Sequence, residues 1–343
     1  MVHHREFVGE VCAAFGLGAP RSIRAIGGGA NLVWRLESEA GIQVVKELPA
    51  DSADVLGRAA EFERGVFGAG VVPMAEPRAD REGRLLRPMR GSRGEPALVR
   101  VHRSVQGRET GRPVAAATAR AAGRSLARVQ AFGAVWDGEV GSLPDRRVWL
   151  RPDRETFDAF AGSRPELIKD GWAALVEAEE LVSEWADGAE DGISTHCDHK
   201  PENSLRDGEK LIILDWDEAG ACDPRIEAVE AAARWAWAGS AGPDAGHFAD
   251  FVAGYRDEGR PFEPLRRADW AKWVAGIASW YEFKAQRSLG RWAAVASARD
   301  DEAEAAAQTL GWLRDTLRRI PQWTTMINNA LSPAPGRARP SDR

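Results

Sequence analysis

The sequence has few of the residues that build several common kinds of functional site. Its 343 residues include three cysteines, Cys12, Cys197 and Cys222. This odd number, without the spacing of a zinc site, argues against a disulfide framework and against structural zinc. A basic excess is also missing, since the formal net charge is -6, whereas nucleic-acid-binding domains are usually strongly basic. We therefore expect no nucleic-acid partner.

Long apolar runs are missing as well. No stretch approaches the roughly 18 apolar residues that a membrane-spanning helix needs, and the first residues lack the apolar segment of a secretory signal. These absences predict a cytoplasmic protein without a membrane partner. We expect a monomer or a homodimer, and the sequence does not choose between them. Apolar residues nevertheless make up 44% of the chain, which is typical of a globular protein long enough for two lobes.

Short apolar runs near the N-terminus predict a β-rich region. Residues 22–26, 32–38 and 42–48 are rich in β-branched and apolar side chains, and polar or glycine-rich segments separate them. They predict an antiparallel three-strand meander. Residues 51–69 have apolar side chains at helical spacing, and residues 97–102 form another strand-like run.

From Pro113 onward long helical patterns dominate. The sequence therefore predicts an α+β protein with two lobes. The N-lobe covers residues 1–103, with a hinge at about 99–106, and a larger, mostly helical C-lobe covers residues 104–330. Residues 331–343 are rich in proline and arginine and lack periodicity, so we predict a disordered tail.

One short segment carries the chemistry. Residues 196–203 read HCDHKPEN, and LDWD follows at 214–217. A predicted hairpin with its turn at Asp207-Gly208 would bring Asn203 close to Asp215. Such a pair of oxygen ligands suits a divalent ion that also binds nucleotide phosphates. Asp198 lies a few residues upstream, where it could accept a hydroxyl proton.

These two segments resemble the catalytic and metal-binding loops of the protein-kinase-like superfamily, whose aminoglycoside phosphotransferase family has H-G-D-x-x-x-x-N and D-[FW]-[DEG]. The resemblance implies a bilobal kinase-like fold, Mg²⁺ as cofactor and ATP or GTP as phosphate donor. It implies Asp198 as the catalytic base, Asn203 and Asp215 as Mg²⁺ ligands, and His196 as a structural residue. Lys200 matches a protein-kinase position that contacts the transferred phosphate, although a solvated loop lysine remains an open alternative.

The resemblance extends to the predicted N-lobe, where Lys46 on the third strand matches the lysine that holds nucleotide phosphates. Its expected partner is a glutamate of the following helix. Glu63 has mostly apolar neighbours at helical spacing, whereas Glu61 has polar and glycine neighbours, so we favour Glu63 and leave Glu61 open. The hinge backbone would meet the adenine edge. The implied nucleotide-binding residues are Gly27, Gly28, Gly29, Asn31, Lys46, Glu63, Val101, His102 and Ser104.

Other positions concern the frame of the site and the acceptor. Asp223 and Glu227 match a D-P-x-x-[DE] pattern that follows the metal aspartate in the family, and we expect both to be structural. The candidate acceptor-contacting residues are His199, Asp217, Glu218, Trp237 and Trp280. His199 could instead face water, and most tryptophans are expected in the core.

The short stretch between Asp215 and Pro224 bears on the kind of acceptor. A helix is predicted to begin at Pro224, so no peptide-binding activation segment or A-P-E motif fits after Asp215. We therefore expect an O-phosphotransferase acting on a hydroxyl of a small molecule. The segments VVKEL, DHKPEN and LDWDEAG resemble the antibiotic phosphotransferase branch most. This resemblance favours an antibiotic of aminoglycoside, nucleoside, peptide or macrolide type as acceptor, with resistance or self-resistance as the purpose. The alternatives are a metabolic kinase for an amino sugar, homoserine or choline, a protein kinase, and an inactive nucleotide-binding module.

Overall fold

The computed structural model describes residues 2–27, 31–138, 153–162, 168–186, 192–291 and 299–332. The chain divides into two compact units. The first consists of residues 1–112, 125–142 and 193–222, and the second of residues 113–124, 143–192 and 223–343. The segment with both predicted catalytic loops thus belongs to the same unit as the N-terminal sheet. Within the described ranges, no helix is long and apolar enough to cross a membrane.

A six-stranded sheet organises the first unit. Its strands are β1 (Pro20–Gly27), β2 (Leu32–Ser38), β3 (Gly41–Pro49), β4 (Pro77–Arg78), β5 (Arg87–Arg90) and β6 (Pro96–Arg103). The order is β1-β2-β3-β6-β4, and β5 also pairs with β6. All of these pairs are antiparallel. The predicted meander and the predicted strand at 97–102 are confirmed.

The two faces of this sheet differ in chemistry. Helix α1 (Val2–Ala14) packs Phe7 and Val11 against Val45, Val99 and Val101 in one apolar cluster. Side chains alternate along a strand, so the residues between these valines point to the opposite face. Helix α2 (Ala53–Gly68), which confirms the predicted helix, buries an apolar stripe and one glutamate.

Short strands frame the two predicted loops. Strand β8 (Ile193–Thr195) pairs with β11 (Gly220–Cys222), while β9 (Ser204–Asp207) pairs with β10 (Lys210–Ile213) and with β7 (Arg108–Glu109). The predicted hairpin is confirmed, but its turn lies one residue later. Asp207 pairs with Lys210, and the loop is Gly208-Glu209, because the glycine takes the left-handed conformation at φ 59°.

Helices make up the second unit. They are α4 (Arg154–Ala161), α5 (Ile168–Ala186), α6 (Pro224–Trp235), α7 (Ala245–Asp257), α8 (Ala271–Ser288) and α9 (Arg299–Leu331). Helix α3 (Ala116–Gly133) contributes its first part to this unit and its second part to the first. The predicted α+β composition is confirmed. Of the predicted tail, residues 333–343 lie outside the described residues.

Candidate active site

Lys46 lies on β3 and points away from the α1 cluster. Its Nζ atom is 2.5 Å from Asp215 Oδ1 and 2.9 Å from Asp217 Oδ2. Burial alone would lower the pKa of Lys46, but Asp217 and Asp215 outweigh burial and raise the pKa above its ordinary value. The lysine is therefore a charged ammonium held by two carboxylates of the predicted metal-binding loop.

Glu63 has different partners from those expected. It is buried on α2 and accepts hydrogen bonds from the Arg100 guanidinium and, at 3.0 Å, from His102 Nε2. Glu61 is exposed and pairs with Arg64. No ion pair joins Lys46 to Glu63, both of which are fully described, so the expected pairing is corrected. Burial would raise the pKa of Glu63, but Arg100 and His102 outweigh it and lower the pKa.

Arg100, which sequence reasoning missed, accounts for this difference. It lies directly opposite Lys46 in the β3–β6 register, is 1% exposed, and contacts both Glu63 and Asp217. We call Lys46, Glu63, Arg100 and Asp217 the buried charge network. The available signal was an arginine within an apolar strand, alternating with valines that face a core.

Asp217 is also placed differently from its predicted role as an acceptor contact. Its carboxylate pairs with Arg100 through Oδ1, at 2.5 Å, and with Lys46 through Oδ2. Burial would raise the pKa of Asp217, but Lys46 and Arg100 outweigh it and hold the pKa well below its usual range. Asp217 is thus an ionised member of the network, with both oxygens in use, whereas Glu218 beside it is exposed.

Asp198, Lys200 and Asn203 form what we call the catalytic-loop cluster. Asp198 Oδ2 accepts a hydrogen bond from Asn203 Nδ2 at 2.7 Å and lies 2.6 Å from Lys200 Nζ. Asn203 Nδ2 also donates to the Asp198 carbonyl oxygen at 3.0 Å. Because its amide nitrogen is committed to Asp198, Asn203 has its amide oxygen left as a ligand. Asp198 keeps a 21% exposed side chain whose Oδ1 has no partner within the described chain.

His196 connects this loop to the metal-binding loop. Its buried ring is 3.0 Å from the Leu214 carbonyl oxygen through Nε2, and Nδ1 accepts the Asp198 backbone N–H at 3.3 Å. Since a carbonyl only accepts, Nε2 carries the proton. The ring also contacts Trp216, with centroids 4.5 Å apart. These contacts fix the backbone on both sides of the site.

His199 is not accessible to an acceptor or to water, the two roles considered from the sequence. Its ring is buried, and Nε2 lies 2.8 Å from Ser125 Oγ on α3. Burial, with a smaller effect from His196, lowers the pKa of His199 to about 3. The neutral ring therefore anchors the catalytic loop to α3.

Two backbone positions in these loops are unusual. Cys197 and Asp215, at φ 63° and 62°, are the only non-glycine residues with positive φ in the part of the chain that the structure describes. This left-handed conformation costs side-chain-bearing residues roughly 1–2 kcal/mol. Glycine, which the resembling family has at the position of Cys197, adopts this conformation without that cost. Each strained residue adjoins or forms part of the predicted site, where such strain is often found.

The residues expected to hold Mg²⁺ fit that ion. The Leu214 N–H donates to the Asn203 carbonyl oxygen at 2.9 Å, which extends the hairpin and brings the two predicted ligands to adjoining strand ends. The Asp215 side chain is 43% exposed, and the amide oxygen of Asn203 has no hydrogen-bond partner among the described residues. The described residues contain no group of three or more His, Cys, Asp or Glu that could hold a metal ion. Mg²⁺ beside nucleotide phosphates, however, needs only one or two protein ligands.

At the predicted hinge, the sheet and its flanking loop already use two of the backbone donors. The Ser104 N–H donates to the Ile42 carbonyl oxygen at 3.0 Å, and the Arg103 N–H donates to the Glu76 carbonyl oxygen at 2.9 Å. Val101 packs in the α1 cluster, and the His102 side chain binds Glu63. The sheet extends one residue further than expected and occupies the Ser104 donor. In the predicted phosphate-binding turn, Gly27 ends β1 and Asn31 is described, while Gly28 and Gly29 lie outside the described residues.

Four predicted residues belong to the second unit. Asp223 caps α6 by accepting the Arg225 N–H at 2.8 Å, and it also accepts Trp185 Nε1 at 2.9 Å. Glu227 is buried on the same helix. Trp237 stacks on Trp273, with ring centroids 5.0 Å apart, inside an aromatic cluster. Trp280 is 42% exposed and stacks on Phe283.

Comparison with known proteins bears on the family and the fold of this chain. A model of the APH phosphotransferase enzyme family matches residues 22–270. No curated protein sequence matches the chain. Among solved structures, an amicoumacin kinase in complex with AMP-PNP, Ca²⁺ and Ami is 13% identical with a TM-score of 0.67, covering 91% of this chain and 93% of that one.

Two further solved structures are similar. A microcompartment-associated aminopropanol kinase is 14% identical with a TM-score of 0.65, covering 93% of this chain and 99% of that one. A choline/ethanolamine kinase family protein from Mesorhizobium loti is 17% identical with a TM-score of 0.58, covering 96% and 99%. At this identity the likeness establishes the fold, and it confirms the predicted protein-kinase-like α+β class.

Proposed function

Because this chain belongs to the APH phosphotransferase enzyme family, whose model matches residues 22–270, we propose that it transfers the γ-phosphoryl group of ATP or GTP, with Mg²⁺, to a hydroxyl of an antibiotic. The family and the similar kinases support phosphoryl transfer to an alcohol group of a small molecule. The observation that carries the detailed proposal is the catalytic-loop cluster, in which two donors hold one oxygen of a partly exposed aspartate.

Asp198 is the proposed general base. Asn203 and Lys200 both bind Oδ2, so the carboxylate is held in one orientation and Oδ1 can accept the proton of an incoming hydroxyl. The Lys200 ammonium also stabilises negative charge beside the reacting oxygen. Holding the acceptor close to the donor phosphate is a large part of catalysis in this reaction class.

Lys46, Asn203 and Asp215 are the proposed phosphate and metal ligands. Lys46 binds Asp215 directly, which places its ammonium beside the carboxylate that would hold Mg²⁺ together with the Asn203 amide oxygen. When bound, Mg²⁺ neutralises the charge of the nucleotide phosphates. The glycine-rich turn near Gly27 is proposed to cover the phosphates, in keeping with its position between β1 and β2.

A peptide acceptor is the less favoured alternative. The chain passes from Asp215 through β11 into α6, which begins at Pro224. A peptide-binding activation segment of roughly 20–30 residues, as we expect of protein kinases, has no room in that stretch. A small acceptor needs no such platform.

An amino alcohol is the second candidate acceptor. It is supported by the similarity to an aminopropanol kinase and a choline/ethanolamine kinase family protein, beside the similarity to an amicoumacin kinase. The net charge of -6 suits cationic acceptors of both classes. We favour the antibiotic because the sequence motifs around Lys46, Asp198 and Asp215 resemble those of the antibiotic phosphotransferases. We propose resistance or self-resistance as the purpose of the reaction.

Nucleoside-diphosphate release, coupled to a spectrophotometric readout, tests the proposal. The panel would contain aminoglycoside, macrolide, peptide and nucleoside antibiotics, with amino sugars, homoserine, choline and aminopropanol. Turnover with an antibiotic is expected. Turnover with amino alcohols alone would make the enzyme a metabolic kinase. Binding of nucleotide without turnover or slow hydrolysis would indicate an inactive nucleotide-binding module.

A further inference from the structure

Arg100 is a buried arginine with no assigned role in the proposed reaction. It is 1% exposed and lies on β6 directly opposite Lys46 on β3. Its Nη1 donates to Asp217 Oδ1 at 2.5 Å, and its Nη2 donates to Glu63. One side chain therefore joins helix α2 to Asp217, the last residue of the metal-binding motif, two positions after Asp215.

The chemistry of the side chain matters here. A guanidinium is planar and has donors that point in fixed, separate directions, so it can bind two carboxylates at a defined angle, whereas an ammonium is a compact point charge. Buried ion pairs are often no more stabilising than apolar residues of the same size. A bridge of this kind is therefore better explained by the positions it fixes than by stability alone.

What Arg100 fixes is one of the two carboxylates that hold Lys46. Arg100 binds one oxygen of Asp217, and Lys46 binds the other at 2.9 Å. The α2 glutamate is occupied by Arg100 and His102 and does not bind the lysine. The orientation of the Lys46 ammonium thus depends on Asp217 as well as on Asp215, and the orientation of Asp217 depends on Arg100.

We propose that Arg100 is a positioning residue, which holds Asp217 so that Asp217 orients the Lys46 ammonium for binding nucleotide phosphates. The proposal rests on the proposed function, because it assigns Lys46 to those phosphates. The competing explanation is that Arg100 only balances the buried charge of Glu63. In that case, removing both charges together would restore both stability and nucleotide binding.

The test compares Arg100→Met, Arg100→Lys, Glu63→Gln and the double variant Arg100→Met/Glu63→Gln. Binding of ADP with Mg²⁺ would be measured by calorimetry, and Tm by circular dichroism. For Arg100→Met we expect a lower Tm and an increase in Kd of about tenfold, comparable to the loss of one charge-assisted hydrogen bond. Arg100→Lys keeps the charge but cannot span both carboxylates, so its Kd is also expected to rise.

The double variant separates the two explanations. We expect its Tm to recover much of the loss while its Kd remains weakened relative to Glu63→Gln alone. Arg225→Met is the matched control, since Arg225 forms a two-point ion pair with the buried Asp269, at 2.8 and 2.6 Å. Its Tm should fall while its Kd stays at the wild-type value.

Three results would overturn the inference. Arg100→Met could bind ADP with Mg²⁺ as the wild type does, the double variant could regain the Kd of Glu63→Gln, or Arg225→Met could weaken binding as much as Arg100→Met. If Arg100→Met does not fold, Arg100→Lys and the double variant provide the same comparison. A wild-type protein that does not bind ADP with Mg²⁺ would instead overturn the proposed function itself.

Discussion

Two groups of charged side chains in the first unit have opposite designs. The catalytic-loop cluster comes from one stretch of six residues, is partly exposed, and leaves Asp198 Oδ1 unpaired within the described chain. The buried charge network brings together side chains from two strands, a helix and a loop, and is almost closed to solvent. The first arrangement keeps an atom free for chemistry, whereas the second uses its charges to fix positions.

The largest effect is expected for Asp198→Asn in the catalytic-loop cluster. An amide cannot accept the hydroxyl proton as a base, so we expect kcat to fall by about two orders of magnitude or more. The Kd for ADP with Mg²⁺ should change little, because Lys46 and Asp215 are untouched. Steady-state kinetics with the best acceptor and calorimetry measure the two quantities.

Asp207→Asn is the control for that substitution. Asp207 ends β9 beside the hairpin loop and is exposed, so both kcat and Kd should stay at wild-type values. Full activity in Asp198→Asn would remove Asp198 from the role of base. Equal losses in both variants would point to a general effect on folding.

A substitution in the buried charge network should instead lower the free energy of unfolding. Glu63→Gln leaves Arg100 buried with one carboxylate fewer, and breaking a buried ion pair costs about 3–5 kcal/mol in the free energy of unfolding. Glu61→Gln on the exposed side of the same helix should change it by less than about 0.5 kcal/mol, as surface substitutions usually do. Urea unfolding of both variants provides the measurement. Similar values for the two would contradict the closed character of the network.

The same contrast explains which parts of the site could be predicted from the sequence. Asp198, Asn203 and Asp215 belong to two short motifs joined by a hairpin, and local turn chemistry is enough to bring them together. The inward side of α2 also follows from helical spacing, which gave Glu63 rather than Glu61. These features depend only on neighbours along the chain.

The partners of Lys46 could not be predicted in this way. Arg100 comes to lie opposite Lys46 only because β3 pairs with β6 in one particular register, which depends on the packing of α1 and the sheet as a whole. The expected contact of the hinge backbone with adenine overlooked the bond from Ser104 to Ile42 for the same reason, since that bond depends on how far the β3–β6 pairing extends. Helix α1 itself was not predicted, although Phe7, Val11 and Phe15 have helical spacing.

The smallest expected effect concerns the backbone beneath the catalytic-loop cluster. Cys197 has φ 63° and donates through Sγ to the Gly220 carbonyl oxygen at 3.4 Å. Cys197→Gly relieves backbone strain of roughly 1–2 kcal/mol. It also removes the weak Sγ contact, and the greater freedom of glycine in the unfolded chain destabilises the folded state by about 0.5–1 kcal/mol. We expect the free energy of unfolding to change by less than about 1 kcal/mol, with kcat retained.

Cys197→Val is the informative opposite substitution. A β-branched side chain is strongly disfavoured at positive φ, so the loop would have to shift, and Asp198 is the next residue. We therefore expect a clearly lower free energy of unfolding and a reduced kcat, measured by urea unfolding and the same kinetic assay. If the valine and glycine variants behaved alike, the left-handed backbone would not be what orients the Asp198 carboxylate. The orientation would then depend on the hydrogen bonds from Asn203 and Lys200 alone.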